Sequence, residues 1–226
     1  MIYCPEFTFV HIPKTGGTWM RHVLSGAGLP GLQSFPDHAG LTRLPEQFRS
    51  SPVFACVRNP WDWHVSRYMF WAGHWSNRTG GYARSRELWT RAELWWDRLF
   101  SRNAPSAEHF RSNTKLMLRE FQEDGEPRGL VPIARWEGHL LGDHPWEPVR
   151  FEHLRADTEA LVARLLAESP QLPALRAAIR AEPPRMTSSH RHYSTYYDDE
   201  LRDLVGELDA SWIERFGYTF TPGACG

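Results

Sequence analysis

Apolar and polar residues follow two different periods along the chain, and together they predict an α/β protein. Continuous apolar runs at 7–12 and 53–57 are typical of buried parallel strands, and a shorter run predicts a strand at 148–151. Apolar residues three or four positions apart predict helices at 17–25, from about 61, and at 86–101, 109–121, 157–167 and 198–216. A short helix is expected within 42–51, and the Gly- and Pro-rich segments 26–40 and 125–148 predict loops.

This order of elements predicts a three-layer fold with a central, mostly parallel sheet flanked by helices. The 226 residues suit one domain spanning 1–226, since a chain of this length can bury a proper core. Residues 70–148 match no motif, and we expect them to form a helical and looped insert. Seven of the 11 tryptophans lie between Trp61 and Trp96. Such aromatic residues form core or line a binding pocket.

The segment between the first strand and the first helix carries the strongest chemical signal. It contains Lys14, Thr15, Gly16, Gly17 and Thr18 in succession. A Gly-rich turn that opens a helix binds anions, because backbone N–H groups and the helix dipole point at the ligand. The glycines permit close backbone approach, and the Lys and Thr side chains add a charge and hydroxyl donors.

A nucleoside triphosphate loop is the first alternative, and the residue order argues against it. The Walker pattern places Lys after the glycines, followed by a Ser or Thr that binds Mg²⁺. Here Lys14 precedes the glycines, and Gly-Lys-Ser/Thr occurs nowhere in the chain. The order from His11 onward, His-Ile-Pro-Lys-Thr-Gly-Gly-Thr, instead resembles the 5′-phosphosulfate loop of sulfotransferases that use 3′-phosphoadenosine 5′-phosphosulfate (PAPS). It is most similar to the branch with the uronyl and other carbohydrate sulfotransferases.

A second motif begins where the second long strand ends. Arg58 follows that strand, and Ser66 lies eight residues later, about one and a half turns into the helix that Pro60 begins. A guanidinium fork and a hydroxyl suit one phosphomonoester. The pattern Arg-(x)7-Ser within Arg-Asn-Pro-Trp-Asp resembles the family's 3′-phosphate site. Looser similarities at 149–157 and 196–218 extend the resemblance over about 7–220.

The resemblance implies a P-loop-like sulfotransferase fold and an enzyme that transfers a sulfuryl group from PAPS. The acceptor is expected to be a hydroxyl, or in second place an amine, of a small molecule, natural product or saccharide. The desulfated nucleotide, PAP, leaves in an in-line displacement, and no metal is needed. Two other classes stay open at this point: a kinase-like P-loop phosphotransferase and a non-catalytic PAP-binding protein.

Individual roles follow from the same resemblance. Lys14 is expected at the bridging oxygen of the leaving group, and the backbone of 15–18 is expected to hold the 5′-phosphate. Trp19 is expected against the adenine, with an ordinary core position as the alternative. Arg191 is expected to close over the 3′-phosphate, with a solvated surface position as the alternative.

A general base must also be found for the acceptor hydroxyl. His38 is the only histidine between the end of the first predicted helix and the second phosphate motif, and a histidine titrates near neutral pH. It is our first candidate, although a surface loop histidine is the plain alternative. His11 ranks second and His64 third.

Charge and cysteine content bound the partners and the location. The formal net charge is −1, which gives no electrostatic case for nucleic acid or an anionic membrane surface. The three cysteines are widely spaced and lack a CxxC, which argues against a disulfide framework or a zinc site. Neither a membrane span nor a signal pattern is present, so we expect a cytoplasmic enzyme. Only Lys14 and Lys115 are lysines, a bias toward arginine that favours a GC-rich bacterial source.

Overall fold

The computed structural model describes residues 1–36, 38–76, 106–124, 131–187 and 190–223. The chain divides into two compact units. The first unit comprises Met1–Arg58 and Arg135–Thr187, and the second comprises Asn59–Ala134 and Ser188–Gly226. The helix predicted at 86–101 lies outside the described residues. The expectation of one domain over 1–226 stays a prediction.

The first unit is built on a mixed, open sheet. Its strands are β1 Ile2–Cys4, β2 Phe7–Val10, β3 Gln33–Ser34, β4 Val53–Val57 and β5 Glu147–Arg150, in the spatial order β3-β1-β2-β4-β5. β2 pairs in parallel with β4, and β4 with β5, whereas β1 is antiparallel to both β2 and β3. The α/β class is therefore confirmed, but the mostly parallel sheet is not what we find. One antiparallel pairing arises because β1 and β2 form a tight hairpin, which pairs Cys4 with Phe7, and the other joins β1 to the two-residue strand β3.

Among the described residues there are eight α-helices. They are α1 Gly17–Gly26, α2 Pro60–Ser76, α3 Ala107–Asp124, α4 Ile133–Leu140, α5 Leu154–Leu165, α6 Leu172–Ala181, α7 Asp199–Leu208 and α8 Ala210–Phe216. Single 3₁₀ turns occur at Leu41–Arg43, Glu46–Phe48, Phe151–His153 and Tyr193–Tyr196. None of these helices is long and apolar enough to cross a membrane.

The parallel register places three chain segments at one edge of the sheet. Val10 of β2 lies beside Ala55 of β4, and Val57 lies beside Arg150 of β5. The carboxyl ends of β2, β4 and β5 therefore meet at the same edge, which is where α/β sheets bind ligands. The residues that follow these ends form the site described below.

The core of the first unit fixes the direction of α1. The apolar face of this helix, including Trp19, Met20 and Val23, packs with Phe9 and Phe54 of the sheet. Helices α5 and α6 contribute further apolar residues to the same cluster: Leu161, Val162, Leu175 and Ile179. Burial on this scale, at roughly 25 cal/mol per Å² of apolar surface, holds the helix firmly. Its N-terminus is thereby kept next to the end of β2.

The second unit is helical in its described part. Its apolar cluster joins α2, α3 and α7 through residues such as Val65, Phe110 and Leu201. The helix predicted at 198–216 is interrupted at Asp209, whose backbone leaves the helical conformation with φ −103° and ψ 18°. The fully buried Asp209 carboxylate lies at the interruption. It accepts from the backbone N–H of Ala134 at 3.4 Å and lies 3.1 Å from His64 Nε2.

Candidate functional site

The 13–18 loop connects β2 to α1 and has a compact, internally bonded shape. Lys14 adopts the left-handed conformation with φ +62°, and Gly16, the N-cap of α1, does so with φ +91°. The Thr15 hydroxyl is buried and donates to the carbonyl of Ile12 at 2.8 Å. This hydrogen bond stabilises the turn between β2 and α1.

The first turn of α1 has the properties that an anion requires. An α-helix leaves its first N–H groups without intrahelical acceptors, and the helix dipole adds partial positive charge there. The first turn of α1 contains no acidic residue that would compete for these N–H groups. Thr18 is exposed on this turn. The turn can therefore accept an anionic group from solvent.

His11 packs directly onto the first residue of α1. Its ring is buried, with 4% of the residue exposed. A Cβ atom added at Gly17 would lie 1.8 Å from His11 Cδ2 and 2.2 Å from Nε2, far inside van der Waals contact. Gly17 is therefore required for the ring to fit, a reason that differs from the close approach to phosphate expected from the sequence.

Arg58 lies beside the loop, directly after β4. The residue is buried, and its guanidinium donates from Nη1 to the carbonyl of Lys14 at 2.9 Å. The guanidinium carbon also lies 4.0 Å from the centre of the Phe151 ring. The same ring faces Gly16, because a Cβ at Gly16 would lie 3.0 Å from Phe151 Cδ2. Loop, arginine and aromatic ring thus form one packed group within the first unit.

His38 is brought to the same group from the loop after α1. It is exposed, has φ +61°, and its Nδ1 lies 3.0 Å from the carbonyl oxygen of His11. Because a carbonyl oxygen only accepts, neutral His38 carries its proton on Nδ1, and Nε2 is then the basic nitrogen. The ring also lies 4.7 Å from the His11 ring and 6.1 Å from the Trp136 ring.

Backbone strain coincides with the two residues to which the sequence assigned catalysis. In the part of the chain that the structure describes, the non-glycine residues with positive φ are Lys14, His38 and Met186. A left-handed conformation is unfavourable for a residue with a Cβ atom and is often found at functional sites. A hydrogen bond holds the backbone at each of Lys14 and His38. Arg58 donates to the Lys14 carbonyl, and His38 Nδ1 donates to the His11 carbonyl.

Trp19 is packed inside the first unit. It is 3% exposed, and its Nε1 donates to the carbonyl of Glu182 at 3.3 Å. The guanidinium of Arg155 lies 5.7 Å from its ring. These contacts match the core position that was the alternative in the sequence, and the contact with adenine stays a prediction.

Three further residues named from the sequence belong to the second unit. Ser66 is buried in α2, and Arg191 is exposed, with its backbone N–H donating to Tyr196 Oη at 3.3 Å. The side chain of His64 is fully buried against Asp209. The role of His64 as third candidate for the base stays a prediction. Burial also lowers the pKa of the neighbouring Arg67 to about 10.

Phe151 and Trp136 were not assigned a role from the sequence. Phe151 directly follows β5, just as Arg58 directly follows β4. Because these two strands pair in parallel, the residues after their ends lie at the same edge, and a prediction of that pairing would have placed Phe151 near Arg58. Trp136 lies on α4, within a segment that the glycine and proline content predicted to be a loop. Its position near His38 left no signal in the sequence pattern.

Within the described residues, no group of three or more His, Cys, Asp or Glu side chains is placed to hold a metal ion. No family model and no curated protein matches the chain.

Proposed function

We propose that the chain is a PAPS-dependent sulfotransferase with a P-loop-like fold. It transfers a sulfuryl group to a hydroxyl, or in second place an amine, of a small molecule, natural product or saccharide. The observation that carries the proposal is the 13–18 loop, in which Lys14 precedes the glycines and the chain leads directly into α1, whose first turn has no acidic residue. A location in the cytoplasm of a bacterium is part of the same proposal.

The nucleotide-binding part of the proposal divides between two phosphates. The backbone of 15–18 binds the 5′-phosphosulfate, as the helix N-terminus favours negative charge. Arg58 and Ser66 bind the 3′-phosphate, and Arg191 closes over it. The roles of Ser66 and Arg191 are supported by the sequence pattern alone.

Lys14 supplies the largest electrostatic effect. During transfer, the bond between sulfur and the bridging oxygen breaks, and PAP leaves with the electron pair. An ammonium group next to that oxygen stabilises the charge that develops there, as positioned cations do in phosphoryl transfer. The left-handed backbone of Lys14 supports this role, since it is a strained conformation that the loop maintains.

His38 accepts the proton from the acceptor. The acceptor oxygen attacks sulfur, and its proton moves to Nε2, the basic nitrogen when Nδ1 donates to His11. The nearby ring of Trp136 favours an acceptor with a flat or ring-shaped body, such as a sugar or an aromatic alcohol. Both features support a hydroxyl acceptor of modest size.

The test is transfer of labelled sulfate from PAPS to a panel of hydroxyl and amine acceptors. Lys14→Ala should abolish transfer, whereas Lys115→Ala should retain it. Lys115 is a fair control because it is the other lysine of the chain, and it is held by Asp198 at 2.8 Å in the second unit. Equal activity of the two variants, or transfer from ATP in place of PAPS, would contradict the proposal.

A further inference from the structure

The side chain of Arg58 is committed to the backbone of the 13–18 loop. Its Nη1 donates to the Lys14 carbonyl at 2.9 Å, and Phe151 covers its guanidinium at 4.0 Å from the ring centre. Only 7% of Arg58 is exposed. A hydrogen bond from a charged donor is stronger than one between neutral groups, and burial weakens the competition from water.

The Lys14 carbonyl is a sensitive place for such a bond. It belongs to the same planar peptide unit as the N–H of Thr15, and in a trans peptide these two groups point in opposite directions. Holding the carbonyl toward Arg58 therefore fixes the direction of the Thr15 N–H, which the proposed function assigns to the 5′-phosphosulfate site. It also holds Lys14 at φ +62°, which its Cβ atom disfavours.

We infer that Arg58 is a positioning residue, which keeps the Lys14–Thr15 peptide in its anion-binding orientation through the Lys14 carbonyl, with Phe151 as its support. This role is additional to the proposed contact with the 3′-phosphate, since it acts through the loop on the other end of the nucleotide. The conformational part of the inference needs no ligand. Its consequence for nucleotide binding rests on the proposed function.

The two lysines of the chain provide a direct measure of loop conformation. Endoproteinase Lys-C cleaves after lysine, so the full chain offers only Lys14 and Lys115 as sites. Cleavage requires local opening, and its rate follows the population of the open form when reclosing is fast. Arg58→Met keeps an unbranched chain against Phe151 but removes every donor. We expect cleavage after Lys14 to rise at least about tenfold, the size of effect that loss of a charge-assisted hydrogen bond gives.

The matched control is Arg155→Met. Arg155 also donates to backbone carbonyls of the first unit, those of Ile179, Arg180 and Glu182, but not to the loop. In the Arg155→Met variant, the ratio of cleavage after Lys14 to cleavage after Lys115 should stay near that of the wild type. If Arg58→Met does not fold, Phe151→Leu removes the stacking face and should raise the same ratio by a smaller factor. An unchanged ratio in the folded Arg58 or Phe151 variant, or an equal rise in the Arg155 variant, overturns the inference.

A binding comparison tests the consequence for the site. Adenosine 5′-phosphosulfate has no 3′-phosphate, so a residue that contacts only that group leaves its affinity unchanged. We expect Arg58→Met to weaken both adenosine 5′-phosphosulfate and PAP by at least about fivefold, in line with a charge-assisted hydrogen bond. Unchanged affinity for adenosine 5′-phosphosulfate overturns the positioning role. A wild-type chain that binds neither nucleotide refutes the proposed function instead, and the Lys-C comparison then decides the inference.

Discussion

Gly17→Ala tests the packing that holds the loop and His38 together. The change adds one methyl group at the first residue of α1. In a helix without obstruction it would stabilise, since glycine is less favourable than alanine by up to about 1 kcal/mol. Here the new Cβ would lie 1.8 Å from His11 Cδ2, against an ordinary contact that begins at 3.4 Å.

The size of the effect follows from what surrounds the His11 ring. The ring would have to retreat by the difference of 1.6 Å, and it is buried next to the His38 ring, 4.7 Å away. Overpacking of a close-packed interior costs about 1–3 kcal/mol. The cost exceeds the gain in helix propensity, so we expect a net loss of about 1–2 kcal/mol in the free energy of unfolding.

Urea unfolding of three variants measures this loss. Gly26→Ala is the matched control, because Gly26 ends the same helix and a Cβ there meets nothing within 4 Å. It should be neutral or slightly stabilising. His11→Ala/Gly17→Ala should be less destabilised than the two single changes added together, since the ring that clashes has gone. The reasoning is refuted if Gly17→Ala is as stable as Gly26→Ala.

Three further outcomes are expected. His38→Ala should lower turnover by about 10²–10⁴-fold and remove the fall in rate below neutral pH, while calorimetry shows PAP affinity near that of the wild type; wild-type turnover would refute the assignment of the base. Asp209→Ala leaves His64 buried without its partner and should lower the free energy of unfolding, measured in urea, by about 1–3 kcal/mol. The double variant His64→Leu/Asp209→Ala should recover part of that loss. No recovery would show that the unpaired His64 is not the cause. Burial raises the pKa of Cys4 to about 12 and also raises that of Cys56, so the folded chain retains protons that the unfolded chain releases above about pH 9. The free energy of unfolding should therefore fall as pH rises from about 9 towards 12, and Cys4→Ala/Cys56→Ala should flatten that fall in urea titrations at pH 8 and 10.5; an equally steep fall in this variant would contradict the reasoning.

Elements with a strong period could be predicted, and short or interrupted ones could not. The apolar runs gave β2 and β4 to within two residues, and the helical spacing gave α1, α3 and α5. β1 and β3 have three and two residues, too few for any period to be visible. No helix was predicted where α6 lies, although Leu172, Leu175 and Ile179 have helical spacing; Pro170 and Pro173 flank its start.

The candidate site could be predicted as a set of residues but not as an arrangement. Lys14, Arg58 and His38 were found because each follows or lies between recognisable motifs. The partners of their side chains depend on tertiary contacts with Phe151 and His11, which are distant in sequence from Arg58 and His38 respectively. The sequence had no information on the left-handed backbone of two non-glycine residues, since strain of this kind is imposed by the surrounding structure.

The most direct measurement of the central claim is thermal unfolding with three nucleotides: PAP, PAPS and ATP with Mg²⁺. At 100 times its dissociation constant, a ligand stabilises the folded chain by about 2.7 kcal/mol. For a chain of this length that is a rise of roughly 5–10 °C in Tm. The account predicts such a rise with PAP and PAPS and little change with ATP. Equal stabilisation by ATP and PAP, or none by PAP and PAPS, would contradict it.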